Sequence, residues 1–331
     1  MNCWAEIEKP ILMLSPMAGY TDSAFRIVCK EQGANLLMTE LISADAIAHF
    51  VLKIKDKRLK IEEIENPTYK LMNFEKQEMP VIVQLFGKHP EKFAVAAHWI
   101  EENMKPSGID INMGCPARKV VGSDHGATLL RDQERGVEVV KAVRAATNLP
   151  LSVKTRLGWE NDEEILEFGP KLIAAGVDAL IIHGRTYKDG FQNISRWNNI
   201  HKLKANSLKL KANVVVIGNG DIKNYQDIKK KLGNLDGVAI GRGAVGNPFI
   251  FNSKYKELSN KDKLAIKKHT IVEHAKLAFK LKGEKGIIEL RKHLLAYFRG
   301  HSHAKQLRKK FVTVEDTEDI KDVLTSIDII E

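Results

Sequence analysis

Short apolar runs recur along the chain, and each ends at a glycine, proline, asparagine or polar cluster. Most are separated by longer segments with apolar residues at helical spacing, such as 92–104 and 135–147. The runs are nearly continuous in apolar character, as in parallel strands that are covered on both faces. The pattern predicts eight strands, at 11–19, 35–44, 80–87, 108–116, 150–159, 178–186, 214–222 and 237–243.

Eight strands that alternate with helical segments over about 250 residues predict an α/β fold of the (β/α)8 TIM-barrel type. A doubly wound parallel sheet is the structural alternative, because the pattern alone does not fix the strand order. After the last run the strand pattern stops, and residues 260–299 carry a helical pattern that is interrupted near Gly283 and Gly286. We therefore predict a barrel domain over residues 1–250 and a small C-terminal helical domain over residues 251–331.

Composition is that of a globular protein, with 44% hydrophobic and 28% charged residues. No apolar stretch approaches the about 20 residues of a membrane helix, and acidic residues precede the first apolar run, so we expect a cytoplasmic protein without membrane contacts. Cys3, Cys29 and Cys115 form no CxxC pair, which argues against a disulfide framework and a thiolate metal site. We expect no bound metal, no obligate protein partner and a monomer.

The formal net charge of +10 is concentrated in one region. Residues 251–310 hold 17 Lys and Arg against 5 Asp and Glu, which is more than the whole net excess, whereas the last twenty residues are acidic. This concentration favours a polyanionic partner such as nucleic acid, although a basic surface can also serve solubility alone.

Polar side chains follow the predicted strands at the points where the strands end. If the barrel is correct, these residues share the rim on which barrel enzymes build their sites from the βα loops. Any one of them could merely satisfy backbone groups, but their coincidence on one rim favours a functional site. They are Gln84, Asn112, Cys115, Lys154, Arg156, His183, Arg185, Asn219, Asp221 and Arg242.

Glycines after the last two predicted strands indicate a phosphate site. Residues 218–220 and 241–243 offer bare backbone amides where barrels commonly hold a phosphate. Residues 241–246 also match G-x-G-x-x-G, but they follow the last strand and precede Asn-Pro, so we reject a dinucleotide fingerprint. A phosphate-binding site opposite Lys154 and His183 suits flavin mononucleotide (FMN), whose reduced ring carries negative charge near N1. A sugar-phosphate substrate would use the same phosphate-binding site, and the residues alone do not decide between the two ligands.

An ordered series of motifs resembles that of the tRNA-dihydrouridine synthases. The motifs are PMAGYTDSAFR, INMGCPARKVV, GATLLRD, SVKTRLGW, HGRT, GNGDI, IGRGAVGNP and ELRKHLLAYF, and they cover most of the chain. The Asn-x-Gly-Cys-Pro motif combined with the late Arg-Lys-His is highly specific. The resemblance implies an FMN-containing barrel with a helical tRNA-binding domain. Such an enzyme reduces the C5–C6 double bond of chosen uridines in tRNA with electrons from NADPH or NADH.

This reduction requires a hydride at one carbon and a proton at its neighbour. An ordinary cysteine thiol, with a pKa of about 8.5, is mostly protonated at neutral pH, so Cys115 is the predicted proton donor. A buried structural thiol and an alkylatable nucleophile with a histidine partner are the alternatives. By motif correspondence, the flavin contacts would be Pro16, Met17, Ala18, Gln84, Lys154, His183, Asn219, Gly220, Asp221, Gly241 and Arg242.

The resemblance also implies substrate contacts. Asn112 and Arg156 would face the uracil, and Phe191 either stacks on the base or anchors its own loop. Arg291 and Lys292, on a helix of the basic domain, would contact tRNA phosphates.

Two other functions fit part of the pattern. An FMN-dependent reductase of free pyrimidines, related to dihydroorotate dehydrogenase, shares the barrel, the flavin and a similarly placed cysteine, but it has no use for a basic helical domain. A non-catalytic RNA-binding protein would not need Lys154, His183 and Cys115 on one rim. Departures from the family pattern at Ala24, at 124–125 and in the basic segment 201–213 leave the subgroup and the modified uridine open.

Overall fold

The computed structural model describes residues 3–57, 67–117, 121–122, 125–209 and 213–328. Parts of three segments named above lie outside the described residues. They are 118–120 of the INMGCPARKVV motif, Asp124, and 210–212 of the basic segment 201–213.

Nine short parallel strands within the described residues form one sheet that curves into a barrel. The sheet order is β1-β9-β8-β7-β6-β5-β4-β2. β3 also pairs with β4, further along that strand than β2 does. The ring is completed where Leu14 N–H donates to Leu36 O (3.1 Å) and Asn35 N–H to Leu12 O (3.0 Å). The predicted TIM barrel is therefore confirmed, and the doubly wound alternative is wrong. The strands are β1 (Ile11–Leu14), β2 (Leu37–Met38), β3 (Ile42–Ser43), β4 (Val81–Phe86), β5 (Gly108–Asn112), β6 (Leu151–Arg156), β7 (Ala179–His183), β8 (Val215–Asn219) and β9 (Gly237–Ile240).

Every predicted strand contains an observed one, but the second, at 35–44, is split. Between β2 and β3, the Thr39 hydroxyl accepts the Gln84 N–H (3.1 Å), and the Glu40 carboxylate accepts the Gly19 N–H. Side chains thus replace part of the backbone ladder at this point. The split strand carries Glu40 to the loop after β1, where that carboxylate holds Gly19 in place.

The outer layer consists of helices that connect successive strands. Side-chain caps set several of their starts: Asp22 accepts the Phe25 N–H (3.1 Å), and Asp132 accepts the Arg135 N–H (3.0 Å). Short 3₁₀ turns occur at Lys76–Glu78, Gly126–Leu130, Pro248–Phe251 and Tyr255–Glu257. The helices of this part are α1 (Cys3–Glu6), α2 (Ser23–Glu31), α3 (Ala44–Lys57), α4 (Pro67–Met72), α5 (Pro90–Asn103), α6 (Gln133–Ala146), α7 (Glu164–Ala174), α8 (Asn198–Lys209) and α9 (Tyr225–Leu232).

Side chains of alternating direction divide the barrel core into two layers. Leu12 and Leu14 face the helices, whereas Ile11 and Met13 point into the barrel, as the two-residue period of a strand requires. Trp4 of α1 is 1% exposed and packs with the inner layer at the strand starts. The amino-terminal end of the barrel is therefore filled with apolar side chains, and the polar residues collect at the opposite end.

Four further helices follow the barrel and pack around a separate apolar cluster. The cluster includes Ile271, Leu294, Phe311 and Ile320, and it also takes in Ala24 from α2. Phe249 packs with this cluster while Phe251 packs with the barrel core, so the predicted boundary at 250–251 falls in a shared turn. Division into two domains that fold separately stays a prediction. The helices are α10 (Asn260–Lys282), α11 (Glu284–Tyr297), α12 (Ala304–Phe311) and α13 (Thr317–Asp328).

The helical part is attached to the barrel through α2 and the loop before it. Lys282 Nζ donates to Asp22 Oδ2 (2.8 Å), and His293 Nε2 donates to the Tyr20 carbonyl (3.1 Å). The His293 ring also packs on Phe25, with ring centroids 4.4 Å apart. None of the helices in the described ranges is long and apolar enough to cross a membrane.

The two glycines that were expected to interrupt the helical pattern have different roles. Gly283 ends α10 with a φ of +61°, so an interruption there is confirmed. The expectation for Gly286 is wrong, because this residue lies inside α11. A Cβ at Gly286 would lie 2.1 Å from the Ala278 carbonyl oxygen of α10. Gly286 therefore allows α10 and α11 to approach closely.

We predict that Gly286→Ala destabilises the helical part, because α10 and α11 must separate to admit one methyl group. The expected loss is about 1–3 kcal/mol in the free energy of unfolding, measured by denaturant titration. Ile288→Ala on the same helix is the control, since Ile288 is 55% exposed and its truncation should change stability by less than about 0.5 kcal/mol. Equal stability of Gly286→Ala and wild type would contradict the close packing of the two helices.

Candidate active site

A cleft of about 1300 Å³ opens at the carboxyl ends of the strands. Barrel loops form most of its wall, and residues of the helical part, including Tyr255, Lys267 and Arg299, complete it. Apart from Arg291 and Lys292, every residue predicted to donate the proton or to contact flavin or substrate lines this cleft. These residues are Pro16, Met17, Ala18, Gln84, Asn112, Cys115, Lys154, Arg156, His183, Phe191, Asn219, Gly220, Asp221, Gly241 and Arg242.

The cleft carries a strong positive charge. Asp221 is its only lining carboxylate among the described residues, and both of its oxygens accept from Arg185 Nη2 at 2.8 Å. Although partial burial opposes ionisation, Arg185 and the Ser195 N–H hold the pKa of Asp221 well below its usual range. The arrangement therefore suits an anionic ligand. The cations that line the cleft are Lys154, Arg156, Arg185, Lys223, Arg242, Lys267 and Arg299.

Lys154 projects from β6 into the floor of the cleft. Its Nζ donates to Asn219 Oδ1 (3.3 Å), and Asn219 Nδ2 in turn donates to Ala239 O (2.6 Å) and Ser15 Oγ (3.2 Å). These bonds fix the amide so that its oxygen faces the lysine. Burial lowers the pKa of Lys154 to about 8, although the nearby Asp110 favours the charged form. This half-buried cation is therefore held by an amide oxygen.

His183 lies at the end of β7, buried beside three cationic side chains. Arg185 Nη1 lies 3.1 Å from His183 Nε2, and because arginine can only donate, Nε2 must be the acceptor. Burial, with the charges of Arg156 and Lys154, holds the pKa of His183 well below its usual range. The ring is therefore neutral, with its proton on Nδ1 available as a donor.

Arg156 ties two loops together rather than standing free. Its side chain is nearly fully buried, and Nε donates to Gly114 O (2.8 Å) while Nη1 donates to the carbonyls of Thr186 and Gly190, both at 3.0 Å. Burial and the neighbouring Arg185 lower its pKa to about 10. Arg156 thus joins the loop of Cys115 to the loop of Phe191.

Phe191 is 53% exposed at the edge of the cleft. The guanidinium of Arg242 lies 4.9 Å from its ring centroid, and that of Arg156 lies 5.3 Å away. Two cations therefore hold the ring, while much of its surface faces solvent. Both expectations for Phe191, base stacking and loop anchoring, stay open on this geometry.

The loop of Cys115 is held by the side chain of Asn112. Asn112 Oδ1 accepts the N–H groups of Gly114 (3.1 Å) and Cys115 (3.0 Å), and its Nδ2 donates to Gln84 Oε1 (2.9 Å). Cys115 is a free, half-buried thiol that lines the cleft. It lies close enough to Lys154 and Arg156 to interact with both charges.

Some glycines of the predicted phosphate-binding site line the cleft, and one does not. Gly220 and Gly241 line the cleft, and Arg242 follows them with a side chain that is 63% exposed. Gly218 does not line the cleft, and a Cβ there would lie 2.1 Å from the Trp197 ring. Gly218 is therefore needed for packing beneath Trp197 and not for phosphate.

Arg291 and Lys292 do not line the cleft. Arg291 Nε and Nη2 donate to the Val314 carbonyl at 3.0 and 2.8 Å, so this guanidinium holds the helical part together. Lys292 Nζ lies 5.4 Å from the ring centroid of Tyr20, which does line the cleft. Both contacts are internal to the protein, and the expected contact with phosphate stays a prediction.

Sequence reasoning missed several residues of the cleft. Lys267 and Arg299 were counted only as part of the basic region, and Tyr20 was quoted within a motif without a role. The internal contact of Arg291 could have been predicted from its apolar neighbours. Leu290 and Leu294 are buried on the same helix, which brings Arg291 to the edge of the helical core.

Comparison with known proteins shows the family of this chain. The family model for dihydrouridine synthases matches residues 13–330. The probable tRNA-dihydrouridine synthase of Aquifex aeolicus (strain VF5) is 32% identical over 319 residues, covering 95% of this chain and 94% of that protein. Probable tRNA-dihydrouridine synthase 1 of Synechocystis sp. (strain ATCC 27184 / PCC 6803 / Kazusa) is 33% identical over 322 residues, covering 95% and 85%. Among solved structures, TcOYE with pHBA aligns with a TM-score of 0.46 at 12% identity, covering 72% of this chain and 87% of that one. On the family match over nearly its whole length, the chain belongs to the dihydrouridine synthase family.

Proposed function

We propose that this protein is a flavin-dependent tRNA-dihydrouridine synthase. It binds FMN in the cleft, takes electrons from NADPH or NADH, and reduces the C5–C6 double bond of particular uridines in tRNA. The observation that carries the proposal is the cleft itself, in which the thiol of Cys115 lies beside Lys154 and Arg156 under an excess of positive charge. Mapping dihydrouridine by position in tRNA, from cells with and without the protein, tests it directly.

The residues of the cleft fit a flavin. Lys154 is a half-buried cation whose hydrogen bond to Asn219 leaves donors for a negatively charged ring, and the neutral His183 offers Nδ1–H. Gly220, Gly241 and Arg242 would receive the phosphate. The volume of about 1300 Å³ exceeds the about 300–1,000 Å³ of ordinary ligand sites, which leaves room for a nucleotide beside the cofactor. A bound reduced flavin supplies the hydride for one carbon of the double bond.

Cys115 supplies the proton for the other carbon. Its S–H bond breaks as the new C–H bond forms, and the sulfur keeps the electron pair as a thiolate. Lys154 and Arg156 stabilise that thiolate, because each cation interacts favourably with a negative charge on Cys115. One proton from the solution then restores the thiol. The hydride and the proton together add two hydrogens across the bond, and one NADPH or NADH is oxidised.

The helical part supports tRNA over a free pyrimidine as the substrate. Lys267 and Arg299 bring its charge into the same cleft as the thiol, and Lys305, Arg308 and Lys309 are exposed along α12. A small uncharged base needs none of these cations, whereas a phosphodiester chain would meet them while one of its bases is turned into the cleft. We place this activity in the cytoplasm and expect the protein to act as a monomer.

We predict that Cys115→Ala abolishes product formation without affecting the flavin. The variant should retain FMN and be reduced by NADPH normally, while dihydrouridine formation falls at least about 100-fold because the proton donor is missing. Flavin absorbance and dihydrouridine yield measure the two effects. Cys3→Ala is the control, since Cys3 lies in α1 outside the cleft. Near-wild-type product from Cys115→Ala at neutral pH would remove this residue from the mechanism.

We predict that Arg242→Ala weakens FMN binding. Water screens this exposed side chain, so the expected loss is about 1 kcal/mol, or roughly fivefold in Kd. Titration of the apoprotein with FMN measures the change, and Lys230→Ala, an exposed lysine outside the cleft, should leave Kd unaltered. An unchanged Kd in Arg242→Ala would contradict the phosphate assignment.

We predict that alanine at Lys305, Arg308 and Lys309 together weakens tRNA binding and makes it less sensitive to salt. The slope of log K against log salt should become shallower by about 0.9 for each phosphate that the variant no longer neutralises. A triple alanine variant at Lys141, Lys202 and Lys230, exposed lysines of the barrel helices, controls for net charge. Salt-insensitive affinity, or equal weakening in both variants, would point back to a small-molecule substrate.

A further inference from the structure

A buried series of hydrogen bonds leads from Asp110 on β5 to the loop of Cys115. Asp110 is fully buried, and its Oδ2 accepts from Gln84 Nε2 at 2.7 Å. Gln84 Oε1 accepts from Asn112 Nδ2 (2.9 Å), and Asn112 Oδ1 accepts from the N–H groups of Gly114 and Cys115. Neither the sequence motifs nor the comparisons give Asp110 a role.

The series has a direction, because a side-chain amide can donate from one end and accept at the other. A carboxylate only accepts, so Gln84 must turn its nitrogen towards Asp110 and its oxygen towards Asn112. Asn112 must then donate to Gln84 and turn its own oxygen to the loop. With the amides reversed, the Asn112 nitrogen would face two backbone N–H groups, and the loop would lose its acceptor.

Contacts on the other side keep the Asp110 carboxylate in place. Ser152 Oγ donates to Asp110 Oδ1 at 2.6 Å, so each oxygen has its own donor. Burial raises the pKa of Asp110 to about 7, while these two hydrogen bonds and the charge of Lys154 favour the ionised form. At a pH above this pKa, the Asp110 carboxyl is mostly ionised and can only accept hydrogen bonds.

We propose that Asp110 is a positioning residue, whose carboxylate sets the direction of the Gln84 and Asn112 amides and so holds the Cys115 loop for proton transfer. The effect on proton transfer rests on the function proposed above, whereas the effect on loop geometry does not. Asp110 itself lies beneath the site and does not line the cleft.

Three substitutions in the flavin-loaded protein at pH 8 separate this role from a general structural one. Asp110→Leu removes the acceptor while keeping a side chain that branches at Cγ. Asp110→Asn keeps it, because the new amide oxygen can accept from Gln84 while its nitrogen donates to Ser152 Oγ. Ser152→Ala removes the hydrogen bond to Asp110 Oδ1 but keeps the one from Gln84 to Asp110 Oδ2. It is therefore the matched control.

Amide hydrogen exchange at Gly114 and Cys115 reports the loop directly. Exchange should be roughly tenfold faster in Asp110→Leu, as expected for the loss of one hydrogen bond, and close to wild type in Asp110→Asn and Ser152→Ala. In single turnovers of the pre-reduced protein, Asp110→Leu should slow uridine reduction roughly 10- to 100-fold through misplacement of the thiol. Starting from the pre-reduced protein keeps any change in flavin reduction, through Gln84 or Lys154, out of this rate.

Two results would overturn the proposal. One is wild-type exchange at Gly114 and Cys115 in Asp110→Leu, and the other is an equal defect in Asp110→Asn, which would assign the effect to charge. If Asp110→Leu does not fold, Asp110→Ala removes the same acceptor without added bulk, and the same comparisons apply. A wild-type protein that makes no dihydrouridine would refute the proposed function, while the exchange rates would still decide the role of Asp110.

Discussion

Polar side chains inside a closed barrel have little but one another to bond with, and this constraint organises the cleft. Lys154 bonds to Asn219 of β8, and Asn219 bonds to the neighbouring strand β9 and to Ser15 after β1. Gln84 and Asn112 form a second series on the opposite side. Lys154 and Asn112 are thus oriented by residues of other strands, because the parallel register aligns the strand ends.

The helical part contributes to the site as well as covering the barrel. His293 and Lys282 hold the segment from Tyr20 to Asp22, next to the residues expected along the flavin. The same helices add Lys267 and Arg299 to the wall of the cleft. Correct attachment of the helices therefore affects both the cofactor side and the nucleic-acid side of the cleft.

Much of the barrel and of its rim could be predicted, because both depend on local pattern. Apolar runs gave the eight strands, and the polar residues at their ends line the cleft together. The split near Glu40 could not be foreseen, since it depends on a hydrogen bond to Gly19. The hydrogen bond from Arg291 to the Val314 carbonyl could not be foreseen from charge either, and the expected contact of Arg291 with phosphate stays a prediction. Distant contacts of this kind leave no mark on local periodicity.

Trp4 and the apolar layer around it seal the amino-terminal end of the barrel. In the described part of the chain, the interior is therefore a chamber with its entrance at the cleft. Under the proposed function, the electron donor and the base of the tRNA would both reach the interior from that one side.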